Sequence, residues 1–469
     1  MSNNLISHYF DVDVFKSSSN KILEGDFRLN AEYYLHSNSY ELSDRIQTEK
    51  LSELAEVVGF GPFKRYYIDD LQYGVPLISS SEMMELKPTY EGIISKEYTK
   101  DFEKYLVKRN TILVSCSGTI GSITIVDGRL NKMAISQHAL RVIPNDIINL
   151  GLLYTFFNSE FGQSLIKGKK SGAVIDELYK DDLYKIDVPI LESNIKSKLS
   201  ELIIKAFKNR DDANLLLDKA NALILKYNNL LPLSTIQPET LDADGEVELR
   251  MTGLNEFTQD YRLDAHFYNP MAKLIVENIQ AFCTNSDNLF NIADCSFRGS
   301  RSTRNYVDKE NGIAFLSGKN IIQIRPDFKY ISKSETANIQ EMLLSEGQIL
   351  ISRSGTLGRT LLIYKNYEGC AASEHLIRVK PETSKIDSGY LYAFLSSDYG
   401  FHQLLRYKHG AVIDEITEDQ ISQSLIPLPS KKQQKEIGDL VRQAYELRAE
   451  AIRQEDEAQE LLTQVLTQA

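Results

Sequence analysis

Cysteine and histidine are scarce in this sequence, and their spacing argues against a metal site. The chain has four cysteines, Cys116, Cys283, Cys295 and Cys370, and seven histidines in 469 residues. No two cysteines form the C-x-x-C pair of a zinc ribbon, and no two histidines form an H-x-x-x-H pair. Four scattered cysteines are also too few for a disulfide framework. We therefore predict no metal site and a reducing, cytoplasmic location.

Long apolar runs and an excess of positive charge are also missing. No stretch approaches the ~20 consecutive apolar residues of a membrane-spanning helix, and the polar N-terminus lacks the pattern of a secretory signal. Acidic residues outnumber basic ones by 65 to 53, which gives a net charge of −12. Half of this excess falls between residues 239 and 260. Clusters of basic residues elsewhere in the chain can therefore still bind a polyanion.

The sequence does contain an internal repeat. Residues 26–34, DFRLNAEYY, return at 260–268 as DYRLDAHFY. The turn SGTIG at 117–121 returns as SGTLG at 354–358, and the dipeptide Gln137-His138 returns as Glu374-His375. The segment GAVIDE at 172–177 returns unchanged at 410–415. Because the offset stays between 234 and 238 residues, the chain consists of two copies of one unit.

Each copy combines short strands with helices. Apolar runs flank both Ser-Gly-Thr turns, which is typical of buried strands, and a long helical segment follows in each copy. The sequence therefore predicts an α+β fold with two repeated mixed α/β domains separated by a long antiparallel two-helix coiled coil. The predicted divisions are 1–190 for the first domain, 191–231 for the first long helix, 232–428 for an acidic linker and the second domain, and 429–469 for the second long helix.

The long helical segments carry a narrow apolar stripe. Two positions repeat every seven residues, from 199 to 230 and again from 437 to 468. Such a stripe favours packing of helix on helix, because a helix on a globular core usually has a wider apolar face. Packing of each helix on its own domain is the alternative. About 35 residues at ~1.5 Å each give ~50 Å of helix, or on the order of fifteen base pairs of DNA.

The ordered set of motifs resembles the specificity subunit of type I restriction-modification enzymes, over nearly the whole chain. The matching pieces are LVSCSGTIG at 113–121, LISRSGTLG at 350–358, the two GAVIDE segments, and the prolines that precede the long helices in VPI at 188–190 and IPL at 426–428. The resemblance implies that each globular unit is a target recognition domain. Each would read one half of a bipartite site in double-stranded DNA.

The resemblance also implies protein partners. Two copies of a DNA methyltransferase subunit would dock on the long helices, bring S-adenosylmethionine and methylate adenine at N6, and a motor-nuclease subunit would join for restriction. The chain itself would hold no cofactor and perform no chemistry. The helix positions assigned to partner binding are Leu199, Leu216, Leu223, Ile437, Leu447 and Leu461.

Catalytic motifs are missing, which agrees with a non-catalytic role. Adenine methyltransferases need an N/D-P-P-Y/F segment, and Asn269-Pro270-Met271 lacks both the second proline and the aromatic. Residues 162–170 do not have the spacing of a P-loop. Two rival interpretations stay open. One is a self-contained enzyme, and the other is a protein-interaction scaffold or the specificity module of a non-methylating phage-defence system.

DNA recognition needs phosphate anchors and side chains that reach base edges. The richest basic island lies between residues 295 and 331, and its counterpart at 59–67 is more aromatic. For each candidate, a solvated surface position or a purely structural role is the alternative. The predicted DNA-binding residues are Lys64, Arg65, Tyr66, Ser117, Thr119, Lys169, Lys170, Arg298, Arg301, Arg304, Tyr306, Lys319, Arg353, Ser354, Thr356 and Lys408.

Overall fold

The fold is described by a computed structural model that covers residues 8–9, 12–13, 46–169, 176–236, 262, 264, 266–296 and 304–468. The chain forms two compact units. The first comprises residues 1–211 and 450–469, and the second comprises 212–449. The predicted α+β class, with two repeated mixed domains and two long helices, is confirmed. Within the described ranges, no helix has the length and apolar character needed to span a bilayer.

The first unit contains two four-stranded sheets. One is antiparallel, with the strand order Ala55–Val58, Ala139–Pro144, Ile112–Ser115, Ile123–Ile125. The other has the order Ala134–Ile135, Gly74–Ile78, Gly92–Ser95, Tyr67–Ile68, and only its first pair is parallel. Two short antiparallel pairs join Thr48–Lys50 to Asp187–Pro189 and His8–Tyr9 to Val12–Asp13. The helices are Leu51–Leu54, Ile147–Asn158, Glu160–Gly168, Lys180–Tyr184, the first part of Ser193–Tyr227 and the second half of Lys431–Gln468.

The second unit repeats both four-stranded sheets strand for strand. The antiparallel sheet has the order Ala293–Ser296, Leu376–Pro381, Ile349–Ser352, Thr360–Leu362. The mixed sheet has the order Ala371–Ala372, Gly312–Leu316, Lys329–Ser332, Tyr306–Val307. Ser286–Asn288 pairs with Leu425–Pro427. The helices are the second part of Ser193–Tyr227, Pro270–Phe282, Leu289–Ile292, Ile339–Met342, Ser388–Ser396, Asp398–Arg406, Glu418–Ser422 and the first half of Lys431–Gln468.

Single turns of 3-10 helix connect several of these elements. They lie at Glu82–Met84, Phe102–Tyr105, Leu233–Thr235, Lys309–Asn311, Asn320–Ile322 and Lys365–Tyr367. The two strands that lead into the Ser-Gly-Thr turns, Ile112–Ser115 and Ile349–Ser352, are buried at every residue. Burial on both faces explains why they read as continuous apolar runs without alternation.

Each unit packs a short apolar helix closely against a long one. Gly151 lies so near the first long helix that a Cβ there would meet the backbone of Ser200 at 2.4 Å. The counterpart Gly389 would meet the backbone of Gly438 at 2.8 Å. A side chain at either glycine would push the helices apart, so the close approach depends on glycine.

The long helices run antiparallel where they meet inside each unit. In the second unit Arg448 contacts Asn214, and Glu436, earlier on the same helix, contacts Tyr227, which lies later on the other helix. In the first unit, residues 193–211 lie beside 450–468 in the same sense. Both helices also bury apolar side chains in the cores of these units, so helix-on-helix and helix-on-domain packing occur together.

Candidate nucleic-acid interface

A tight turn at 117–121 and 354–358 closes the hairpin formed by the last two strands of the antiparallel sheet in each unit. Its first glycine, Gly118 or Gly355, has a φ of +71° or +73°, in the left-handed region that favours glycine. The predicted contacts on the turns differ in exposure: Thr119 and Thr356 are exposed at the tips, whereas Ser117 and Ser354 are half-buried. The tips therefore present a hydroxyl and backbone groups to solvent, which suits phosphate contact.

A buried serine fixes the shape of each turn. The hydroxyl of Ser115 donates to the carbonyl oxygen of Thr119 at 2.6 Å and accepts from the amide of Ser122 at 2.8 Å. Ser352 makes the same two bonds in the second unit, to Thr356 and from Arg359. Because the bracing is internal, the turn keeps its shape without any ligand.

The dipeptides Gln137-His138 and Glu374-His375 bind the arginine of the basic segment, and in the second unit the dipeptide also contacts the turn. Arg65 Nη2 donates to Gln137 Oε1 at 2.9 Å. In the second unit, Arg304 Nη2 lies 2.6 Å from both carboxylate oxygens of Glu374. His375 Nδ1 in turn hydrogen-bonds with the Ser354 hydroxyl at 2.8 Å. Arg65 and Arg304 are thus equivalent residues, and the fold brings Arg304 and Ser354 together through two intervening side chains.

Acidic neighbours compensate much of the positive charge that the sequence places here. Arg65 pairs with Glu91 at 2.5 Å, Arg353 with Glu415 at 3.2 Å and Lys408 with Asp414 at 2.7 Å. Burial alone would raise the pKa of Glu374, but hydrogen bonds from its own backbone amide and from Arg304 lower that pKa below the usual range. Glu374 therefore holds Arg304 as a carboxylate at neutral pH.

The remaining candidates differ in their surroundings. Lys64, Tyr66, Tyr306 and Lys319 are exposed. Lys169 is half-buried at the end of the helix Glu160–Gly168. Lys170, Arg298 and Arg301 lie outside the described residues. The part of these three and of the other thirteen predicted residues in DNA binding stays a prediction.

The helix positions assigned to partner binding lie largely inside the units. Leu199 and Ile437 are fully buried in the cores of the first and second units. Leu216, Leu223, Leu447 and Leu461 are partly buried. Two apolar residues of the first long helix, Ile204 and Leu215, are exposed instead. A protein that docks on this helix can contact these two directly, whereas it reaches Leu199 only through its neighbours.

Family comparison accounts for this repeated architecture. A family model described as the type I restriction modification DNA specificity domain matches residues 44–225 and 290–458, which together are most of the chain. This chain belongs to that family. Each matched segment contains one globular repeat with the long helix after it, so the chain carries two DNA specificity domains of the type I restriction-modification system.

Three solved structures align with nearly the whole chain at low sequence identity and low TM-score. The S subunit of a type I system from M. genitalium is 12% identical and aligns over 92% of this chain and 96% of that one, with a TM-score of 0.32. The HsdS subunit from Thermoanaerobacter tengcongensis is 15% identical over 92% and 98%, with a TM-score of 0.28. A structure described in terms of type I R-M complex assembly is 15% identical over 91% and 98%, with a TM-score of 0.29. No curated protein matches the sequence significantly.

The specificity domains also contain exposed residues that the sequence pattern did not single out, namely Tyr67, Tyr98 and Glu335. Tyr67 and Tyr306 occupy equivalent edge strands and are 51% and 49% exposed. Tyr98 and Glu335 follow the next strand and are exposed in both domains. Tyr98 and Glu335 lie about thirty positions after the arginines, and Tyr67 lies close to Arg65 but carries no charge. A search for charge could not find them, although alignment of the two repeats would have placed them side by side.

The cysteine beside the first turn has an unreactive environment, and the described residues form no cluster of metal-ligand type. Among the described residues, no group of three or more His, Cys, Asp or Glu side chains could hold a metal ion. Cys116, next to the first turn, is buried, and burial raises the pKa of its thiol to about 11. The thiol is therefore protonated at neutral pH and a poor nucleophile.

Proposed function

We propose that this chain is the specificity subunit of a type I restriction-modification complex, in which each specificity domain reads one half of a bipartite DNA target. The observation that carries the proposal is the duplication of one specificity domain whose frame is shared and whose exposed side chains differ. Two domains with the same turn and an equivalent half-buried, anchored arginine, but different surface chemistry, suit two different half-sites.

The proposal includes the partners. Two copies of a methyltransferase subunit dock on the long helices, with Ile204 and Leu215 among the contacts, and a motor-nuclease subunit joins where the system cleaves DNA. S-adenosylmethionine is bound by the methyltransferase, which transfers the methyl group to adenine N6. The chain contributes no catalytic group, in line with the lack of methyltransferase and P-loop motifs in its sequence.

A modified-base map of the host genome, with and without the gene, tests this function. We expect N6-methyladenine to disappear from one asymmetric motif made of two short blocks separated by unread base pairs. Restoring the gene on a plasmid should restore the methylation. If the map is the same with and without the gene, methylation does not depend on this chain and the proposed function fails.

A charge-reversal experiment separates DNA recognition from a scaffold role. Lys64→Glu and Lys319→Glu reverse exposed cations, one in each domain, that have no place in either core. We expect the variant chain to co-purify with the methyltransferase subunit while the complex loses affinity for target DNA, because phosphate contacts depend on positive charge. A complex that binds its target as well as the unmodified one would favour the scaffold.

A further inference from the structure

One pair of exposed side chains stands at the same place in both specificity domains but differs in chemistry. In the first domain the pair is Tyr66 and Tyr98, whose ring centroids are 6.3 Å apart at an interplanar angle of 53°. In the second domain it is Asn305 and Glu335, where Asn305 Nδ2 donates to Glu335 Oε2 at 2.7 Å. All four side chains are exposed.

The backbone around the pair is the same in both domains. One serine holds both positions in the first domain: the amide of Ser95 donates to the carbonyl of Tyr66 at 2.8 Å, and the Ser95 hydroxyl accepts from the amide of Tyr98 at 3.2 Å. Ser332 makes the same two bonds in the second domain, at 2.9 and 3.2 Å. The same hydrogen bonds hold the backbone at both positions in the two domains, so the difference lies in the side chains.

The residues beside the pair are alike in the two domains. Arg65 and Arg304 precede the pair's first member and are anchored to Gln137 and Glu374. A half-exposed tyrosine follows in each case. A lysine also lies over a tyrosine ring in each domain, but not at equivalent positions: Lys64 Nζ is 4.6 Å from the ring centroid of Tyr66, a member of the pair, and Lys329 Nζ is 5.2 Å from that of Tyr306, which follows the pair. The first member of the variable pair thus stands between an anchored arginine and an exposed tyrosine in both domains.

We infer that the pairs Tyr66–Tyr98 and Asn305–Glu335 determine which bases each specificity domain prefers. This inference rests on the proposed function. The two pairs offer different chemistry to a base edge. An asparagine can bond to adenine with two hydrogen bonds, and a glutamate accepts from the amino group of cytosine. Two tyrosines offer apolar ring surface and single hydroxyl bonds, which suit a thymine methyl group and tolerate more than one base.

Exchange of the pairs between the domains tests the inference. One variant carries Tyr66→Asn with Tyr98→Glu, and the reciprocal variant carries Asn305→Tyr with Glu335→Tyr. Each full-length chain is assembled with the host's methyltransferase subunit and used to select from a library of duplexes with fully randomised sequence. The matched control is Glu192→Ser, which imports the exposed Ser430 of the other repeat at the equivalent position just before the long helix.

We expect each exchange to change the preferred bases in one half of the selected motif only. Discrimination at the affected base pairs should shift on the order of 10- to 100-fold, while the other half and the control variant keep the original preference. If both exchanged complexes select the original motif in both halves, the pairs do not determine specificity, although the proposed function stands. If the unmodified complex selects no motif, the proposed function fails and this inference with it.

Discussion

At the scale of single residues, the contact between Arg304 and Glu374 holds a predicted DNA-binding residue in place and also stabilises the second domain. The Glu374 side chain is 11% exposed, and Arg304 also lies over the Phe315 ring, with its guanidinium carbon 4.8 Å from the centroid. Because the pKa of Glu374 is lowered in the fold, the pair stabilises the domain above the usual carboxyl pKa of about 4.3. That contribution is lost as the pH falls through the lowered value.

Replacing the arginine should therefore destabilise the second domain in a pH-dependent way. We expect Arg304→Met to cost ~1–3 kcal/mol of unfolding free energy at pH 7, because a largely buried carboxylate loses its partner. At about pH 3 to 4 the loss should shrink, since protonation removes the uncompensated charge. Urea unfolding at both pH values measures the effect, with Arg304→Met, Glu374→Gln as the control. An equal loss at both pH values would show that the charge of Glu374 is not the cause.

At the scale of secondary structure elements, the long helices carry an ion pair that heptad analysis did not detect. In the first unit, Arg210 and Glu455 are 4% and 3% exposed and share two hydrogen bonds of 2.8 and 2.7 Å. Tyr154 donates to the same carboxylate at 2.7 Å. Burial opposes the charge on Arg210, yet the adjacent Glu455 raises its pKa above the ordinary value.

Removal of one partner should cost far more than removal of both. We expect Glu455→Leu to lower the unfolding free energy of the first unit by ~3–5 kcal/mol, because Arg210 is left buried without a counter-charge. The double variant Arg210→Met, Glu455→Leu should recover most of this loss, since a well-packed apolar pair can replace a buried ion pair. Circular dichroism during urea unfolding reports the helices. Failure of the double variant to recover stability would contradict this account.

The second unit supplies a control for that experiment. The repeat places Arg448 at the position of Arg210, but Leu217 stands where Glu455 would be. Arg448 is half-buried and donates to Asn214 Oδ1 at 3.1 Å. Arg448→Met should therefore cost clearly less than Glu455→Leu. The comparison holds helix geometry nearly constant while it varies the charge of the partner.

The sequence was sufficient to predict the repeat, the strands around both turns and the two long helices, because each leaves a local pattern. It could not predict the contact of Arg65 with Gln137, since 72 residues separate them and only the fold brings them together. The heptads predicted helix contact, but not that Leu199 and Ile437 would also enter the unit cores. A side chain that packs on the other helix and in a unit core occupies one position of the heptad pattern, so the pattern alone cannot reveal the second contact.

At the scale of the whole molecule, the charge distribution limits how strongly the isolated chain can bind DNA. The net charge is −12, and Arg65, Arg304, Arg353 and Lys408 are all ion-paired within the domains. Isolated chains of this kind release few counterions from DNA, because few uncompensated cations meet the phosphates. Most of the phosphate contact in the assembled complex should therefore come from the partner subunits.

Binding of the isolated chain should be weak and only slightly dependent on salt. We expect a dissociation constant of about 10⁻⁶ M or weaker for a duplex that carries the target motif. Addition of the methyltransferase subunit should tighten binding by on the order of 100-fold or more and steepen its salt dependence. Fluorescence anisotropy across a salt series measures both. Nanomolar, sequence-specific binding by the chain alone would contradict the prediction.

The first unit is built from two separate stretches of the chain, which affects how it folds during translation. Residues 450–469 complete this unit, and the whole of 212–449 lies between them and its N-terminal part. At ~5–20 residues per second, a ribosome needs roughly 12–48 s to cross that interval. During this time Leu199 and Phe207 lack the neighbours that Ala458 and Leu462 later supply. We therefore expect the N-terminal domain to finish folding last, in reverse of the usual order during translation. Until then, the apolar face of its long helix stays uncovered.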